Sequence, residues 1–114
     1  MTDLVTKKCV PCEGGIPPFT PLEVKKYLKE ISSDWITLED KRLERKFKFK
    51  DFKEAMEFVN KVADVAELEQ HHPDIKIFYN MVTITLWTHA ISGLSENDFI
   101  MAAKIDHISL PLSS

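Results

Sequence analysis

The residues best suited to chemistry stand together as Glu67-Leu68-Glu69-Gln70-His71-His72-Pro73, followed by Trp87-Thr88-His89. Three of the four histidines in the chain therefore fall in one short region. Imidazole is the side chain whose ordinary pKa lies nearest neutrality, so it can give or take a proton there. Two imidazoles across a small cavity, one protonated and one neutral, would form an acid/base pair. A metal site is a poorer reading. Adjacent histidines diverge at most backbone geometries, and two histidines one helical turn apart with a glutamate between them are absent. The plainest alternative is a polar helix stop at His-His-Pro with a surface histidine elsewhere. Local chemistry alone leaves that alternative open.

The positioning elements can be read from periodicity. Thr20-Pro21-Leu22-Glu23 is a capping box with proline at the first helical position, and Val24, Tyr27, Leu28 and Ile31 follow at helical spacing up to Ser32-Ser33. Trp35–Leu38 and Leu43–Phe49 read as strands turning at Glu39-Asp40-Lys41. In the second strand Leu43, Arg45, Phe47 and Phe49 share a face, which Arg45 interrupts.

The longest helical pattern runs from Phe52 to about Glu69. Its stripe is Phe52, Ala55, Met56, Val59, Val62, Ala63 and Ala66, with Phe58 and Val65 on a second flank. Such wide apolar coverage suits two neighbours, one of them a partner chain. Pro73 stops this helix, so His71 and His72 stand at its C-terminal end, whose partial negative charge favours an imidazolium. Glu67, four residues before His71, is placed to orient that ring. A second strand pair, Ile75–Tyr79 and Val82–His89, alternates strictly in its later member. Ser95-Glu96-Asn97-Asp98 is another capping box, opening a helix with Phe99, Ala102, Ala103 and Ile105. The order helix-strand-strand-helix-strand-strand-helix predicts an α+β fold, an antiparallel four-stranded sheet with helices packed on one face.

At 114 residues the chain suits one domain. Residues 1–19, rich in proline and glycine, read as an extended N-terminal arm, and 20–114 as the single domain. A net charge of −3 argues against nucleic-acid binding through phosphate neutralisation. The basic run from Lys41 to Lys50 reads as the solvated face of a strand. No apolar stretch is long enough to span a bilayer, and the N-terminus lacks an apolar signal core, so a soluble, cytoplasmic protein with no membrane partner is expected. Cys9-Val10-Pro11-Cys12 resembles half a zinc knuckle, yet no second cysteine pair completes it. Its place in a Pro/Gly arm also disfavours a thioredoxin-like role.

The spacing of Glu67, His71-His72-Pro73, Tyr79, His89 and Asp98 resembles the signature of the pterin-4a-carbinolamine dehydratase family. Asp34-Trp35, the strand from Arg45 to Phe49, Asp51-Phe52 and Gly93-Leu94-Ser95 extend that resemblance over roughly residues 20 to 108. It implies loss of water from a 4a-hydroxytetrahydropterin to give a quinonoid dihydropterin, in recycling the tetrahydrobiopterin-type cofactor of an aromatic amino acid hydroxylase. No metal or organic cofactor is implied, the pterin being the substrate. A homodimer or tetramer is implied, with the long helix in helix–helix contacts. By resemblance His71, His72 and His89 form the catalytic group, with His72 and His89 the proton-transfer pair and His71 orienting the pterin. Gln70, Trp87 and Thr88 line the pocket with them, Trp35 stacks near the pterin, and Glu67 and Asp98 brace the imidazoles.

Two positions depart from the family pattern. Gln70 stands where some relatives carry an acid, and Trp87 where some carry a small hydroxyl residue. The resemblance also admits a second class of function, a dimerisation partner of a transcription factor, and a third, a pterin role outside hydroxylase recycling. The hydroxylase served, the pterin side chain, the acid and base assignments, the oligomer size and the purpose of Cys9 and Cys12 are not readable from the sequence.

Overall fold

A computed structural model describes residues 4–9 and 17–109. Helix α1 (Pro21–Leu28) opens on a complete capping box, Thr20 Oγ1 accepting the Glu23 N–H while the Glu23 carboxylate accepts the Thr20 N–H. It ends three residues before Ile31, which packs beside the core from the following turn. Strands β1 (Ile36–Leu38) and β2 (Arg42–Lys48) form a hairpin, with Glu39 and Asp40 both at positive φ in its turn. Helix α2 (Phe52–Glu69) is capped by Asp51, whose carboxylate accepts the Glu54 N–H. Strands β3 (Asp74–Phe78) and β4 (Met81–Leu86) form the second hairpin, and α3 (Glu96–Ser109) closes the fold.

The sheet is antiparallel throughout in the order β1-β2-β4-β3. Pairing Leu43 with Leu86, Arg45 with Ile84 and Phe47 with Val82 puts these residues on one face. Period-two alternation makes the other face polar, with Glu44, Lys46, Thr83 and Thr85. The apolar face joins Ala55, Phe58 and Val62 of α2 and Phe99, Met101 and Ile105 of α3 in one core, and Val24 and Trp35 complete it. Phe58 is fully buried against Phe47 and Phe49, its ring 4.6 and 5.0 Å from theirs. The expected α+β architecture is what forms.

Two expectations need correction, and a third gains a partner. The buried arc of α2 is Ala55, Phe58, Val59, Val62 and Ala66, rotated toward Phe58, while Phe52 is half-exposed and Ala63 exposed. At about 100° per residue, Phe52, Met56 and Ala63 fall on the edge of that arc farthest from Phe58. Next, Arg45 interrupts the apolar face as expected, only part-buried between buried Leu43 and Phe47, and a partner meets it there. Asp106 of α3 accepts from its guanidinium, from the Trp35 indole N–H at 2.7 Å and from the Ser32 backbone, so the charge is answered inside. Last, the arm is not wholly extended. Leu4–Thr6 make a 3-10 turn against α3, with Leu4 buried. Cys12 and the arm glycines lie outside the described residues. Among those residues no helix is long and apolar enough to cross a membrane.

Candidate active site

The end of α2 sets the geometry. Gln70 adopts a left-handed conformation (φ 54°, ψ 38°), and the His71 N–H turns back to the Ala66 carbonyl at 3.2 Å. Such a closure satisfies late helix carbonyls and reverses the chain. His71 is thereby taken off the helix face it would otherwise share with Glu67. It meets Asp98 instead, with Nε2 2.7 Å from Oδ1. Glu67 pairs with His72, Nε2 to Oε2 at 2.6 Å. The sequence expectation that Glu67 orients His71 is thus replaced by two separate pairs.

These pairs differ in strength. Glu67 and His72 are both largely exposed, where an ion pair contributes roughly 0–1 kcal/mol. Asp98 is completely buried and His71 nearly so. The Asp98 carboxylate also accepts from the Thr88 hydroxyl at 2.8 Å and from the Ser95 N–H at 2.9 Å. Because Thr88 donates to Asp98, it must accept from the Ser95 hydroxyl, 2.8 Å away. With donors on both carboxylate oxygens, the hydrogen between His71 and Asp98 belongs on Nε2, leaving Nδ1 for other work. The capping box at Ser95 is real in its reach-back half, and the same carboxylate fixes the imidazole.

His89 is not a strand-end residue. β4 stops at Leu86, and His89–Ile91 form a 3-10 turn closed by two backbone bonds between Thr88 and Gly93. The His89 ring lies 4.0 Å from that of Trp87, centroid to centroid, and Arg42 stands 4.5 Å over the same indole. A cation over indole is worth about 0.5–1 kcal/mol at an exposed site. The Trp87 Nε1 is buried without a hydrogen-bond partner among the described residues.

A cavity of about 640 Å³ is lined by His71, His72 and His89 together with Gln70, Trp87 and Thr88. Volumes of this size are usual for small-molecule sites. Trp35 does not line it, because its indole N–H is committed to Asp106 in the core. Tyr79, exposed in the β3–β4 turn, does not line it either. The sequence reading missed Glu69, Asn97 and Leu68, and found no role for Cys9, all of which are in the wall. The only sequence signal for Glu69 was its spacing from Val62 and Ala66, which continues the buried arc of α2.

A four-stranded antiparallel sheet thus carries a cavity lined by three histidines at the C-terminal end of its long helix. The model of the Pterin 4 alpha carbinolamine dehydratase family matches residues 17–108, and the chain belongs to that family. A relative from Alkaliphilus metalliredigens, provisionally named pterin-4-alpha-carbinolamine dehydratase, is 48% identical over 93% of this chain and 96% of its own. One from Rickettsia bellii with the same name is 50% identical over 90% and 91%. The crystal structure of a transcriptional coactivator/pterin dehydratase from Brucella melitensis matches with a TM-score of 0.74 at 36% identity. It covers 80% of this chain and 97% of that one. A pterin dehydratase-like RuBisCO assembly factor of the alpha-carboxysome shares the fold, with a TM-score of 0.58 at 23% identity over 68% and 90%.

Proposed function

We propose that the protein dehydrates a 4a-hydroxytetrahydropterin to a quinonoid dihydropterin by histidine acid/base catalysis. The observation that carries this reading is three imidazoles on one cavity, one of them fixed by a buried carboxylate. Water loss breaks the C4a–O bond, and hydroxide leaves poorly unless a donor protonates it. The neighbouring ring nitrogen gives up its proton to a base. One proton is delivered and one removed, so the step needs no oxidant. His71, locked on Asp98, suits holding and orienting the ring. His72 and His89, more exposed and less constrained, suit proton transfer. Each positioned transfer typically supplies about 10²–10⁴-fold. Trp87 and Gln70 shape which pterin fits, Gln70 presenting an amide where an acid would repel an anionic side chain.

The protein is proposed to work in the cytoplasm as a homo-oligomer recycling the pterin of an aromatic amino acid hydroxylase. Support for self-association is the exposed aromatic surface at the other end of the molecule, Phe78, Tyr79 and Phe52.

Freshly generated 4a-hydroxytetrahydropterin mixed with purified protein is expected to give the quinonoid absorbance faster than buffer does. His89→Ala and His72→Ala are each expected to lose about 10²–10⁴-fold in kcat while keeping the wild-type circular dichroism. No acceleration by folded wild-type protein would overturn the reading. Full activity in a histidine variant would remove that residue from the mechanism.

A further inference from the structure

The proton chemistry above leaves Glu69 unused, although it is buried at the cavity wall. A buried carboxylate is costly unless its oxygens are satisfied. Glu69 Oε1 accepts the Cys9 backbone N–H at 2.7 Å, and Lys104 Nζ stands 3.7 Å from Oε2. The same ammonium donates to the Val5 carbonyl at 2.8 Å. One ion pair, from the end of α2 and the body of α3, thus grips the N-terminal segment at two backbone groups. Leu4 of that segment is buried in the core, and Lys7 pairs with Glu96 at 2.8 Å. The Cys9 thiol lies 3.6 Å from the Asn97 carbonyl, toward which it donates, and both residues line the histidine cavity.

We propose that the N-terminal segment is a fastened wall of the substrate pocket, with Glu69 as its positioning residue and Cys9 as a contact that sets pterin affinity. The inference rests on the dehydratase reading and deepens it. Satisfying Glu69 requires the segment to be seated, so the wall and the histidine turn, two residues away in sequence, are ordered together. Burial, then the nearby Glu69 charge, pushes the Cys9 thiol up to about 12. It therefore meets the pocket as a neutral, polarizable surface suited to lie against a flat heteroaromatic ring, rather than as a nucleophile.

The test compares full-length wild type with Glu69→Ala, Glu69→Gln and Cys9→Phe in steady-state dehydration. It also follows oxidation of Cys9 in hydroxyl-radical footprinting, which reports access to a neutral thiol, read by peptide mass spectrometry against the distant Phe78 so that Cys12 is counted separately. Glu69→Ala is expected to raise KM about tenfold with kcat within about threefold, the split expected when binding rather than chemistry is lost. Glu69→Gln keeps an acceptor for the Cys9 N–H and should return KM to within about threefold of wild type. Cys9→Phe fills part of the pocket and should raise KM by about tenfold. Saturating 7,8-dihydropterin should slow Cys9 oxidation in wild type, relative to Phe78, by about fivefold or more. An unchanged KM in folded Cys9→Phe overturns the inference, and so does an unprotected Cys9 in pterin-saturated wild type. Those two measurements decide even where Glu69→Ala does not fold. An active wild type with an unprotected Cys9 defeats this inference alone. A wild type that neither binds nor dehydrates the pterin defeats the dehydratase reading and the inference with it.

Discussion

Three donors converge on the Asp98 carboxylate, from His71, Thr88 and Ser95, and no solvent reaches it. Asp98→Asn replaces one oxygen by an amide NH₂, so one of those donors must face another donor or the His71 proton must move to Nδ1. An unsatisfied buried group costs about 1–3 kcal/mol, and the variant should lose that much stability in thermal unfolding. His71 would be freed to rotate, and kcat should fall by roughly 10–100-fold, as when the carboxylate behind a working imidazole is changed. Cys9 gives a prediction in pH. Its thiol is raised from 9.0 to about 12, first by burial and then by Glu69. Between those values the folded chain keeps a proton that the unfolded chain has lost, so stability falls as pH rises through that window. Below pH 9 the contribution is whole. Urea unfolding at pH 8 and pH 10.5 should show a larger loss for wild type than for Cys9→Ser. At this scale the histidines were legible, because residue type alone marks them. The Glu69 contact with Cys9 was not, since it joins positions 60 residues apart by one backbone N–H.

Between residue and fold, local rules worked where the local chain decides. The capping box at Thr20 and the alternation of Val82, Ile84 and Leu86 both stand as read. They failed where a single residue leaves its expected conformation. A left-handed Gln70 carries no mark in the sequence, yet it redirects His71 from Glu67 to Asp98. The rotation of the α2 face was likewise decided by where Phe58 finds Phe47 and Phe49, a tertiary choice. The loop bearing His89 is held by one such close fit. A Cβ on Gly93 would stand 2.6 Å from Pro18 Cβ, too near for either to stay in place. Gly93 also makes both backbone bonds to Thr88. Gly93→Ala should therefore cost about 1–3 kcal/mol, as overpacking does, and shift the 3-10 turn that carries His89. Thermal unfolding and the dehydration rate should fall together. A variant with wild-type melting would show that Pro18 yields freely.

The whole molecule places its two unusual surfaces far apart. The cavity is at the C-terminal end of α2. At the N-terminal end Phe52 is half-exposed, and Phe49 joins Asn80 by two hydrogen bonds, which brings the β3–β4 turn with Phe78 and Tyr79 to the same end. An 18-residue helix separates them by about 27 Å. β3 is also an edge of the sheet, and an exposed edge strand with apolar side chains invites pairing with another chain. Phe78 is 79% exposed, more than a monomer gains by keeping. If copies associate through this end, the cavity stays open to substrate, so assembly and catalysis should separate by mutation. Sedimentation is expected to give a multiple of 13.1 kDa for wild type. Phe52→Glu with Phe78→Glu places like charges across the interface and should lower that mass. Its kcat should stay within about twofold, because screened charges this far from the cavity act on it weakly. A wild-type chain that sediments as a monomer would overturn self-association. A dissociated variant that also loses its activity would instead show that the partner subunit completes the site.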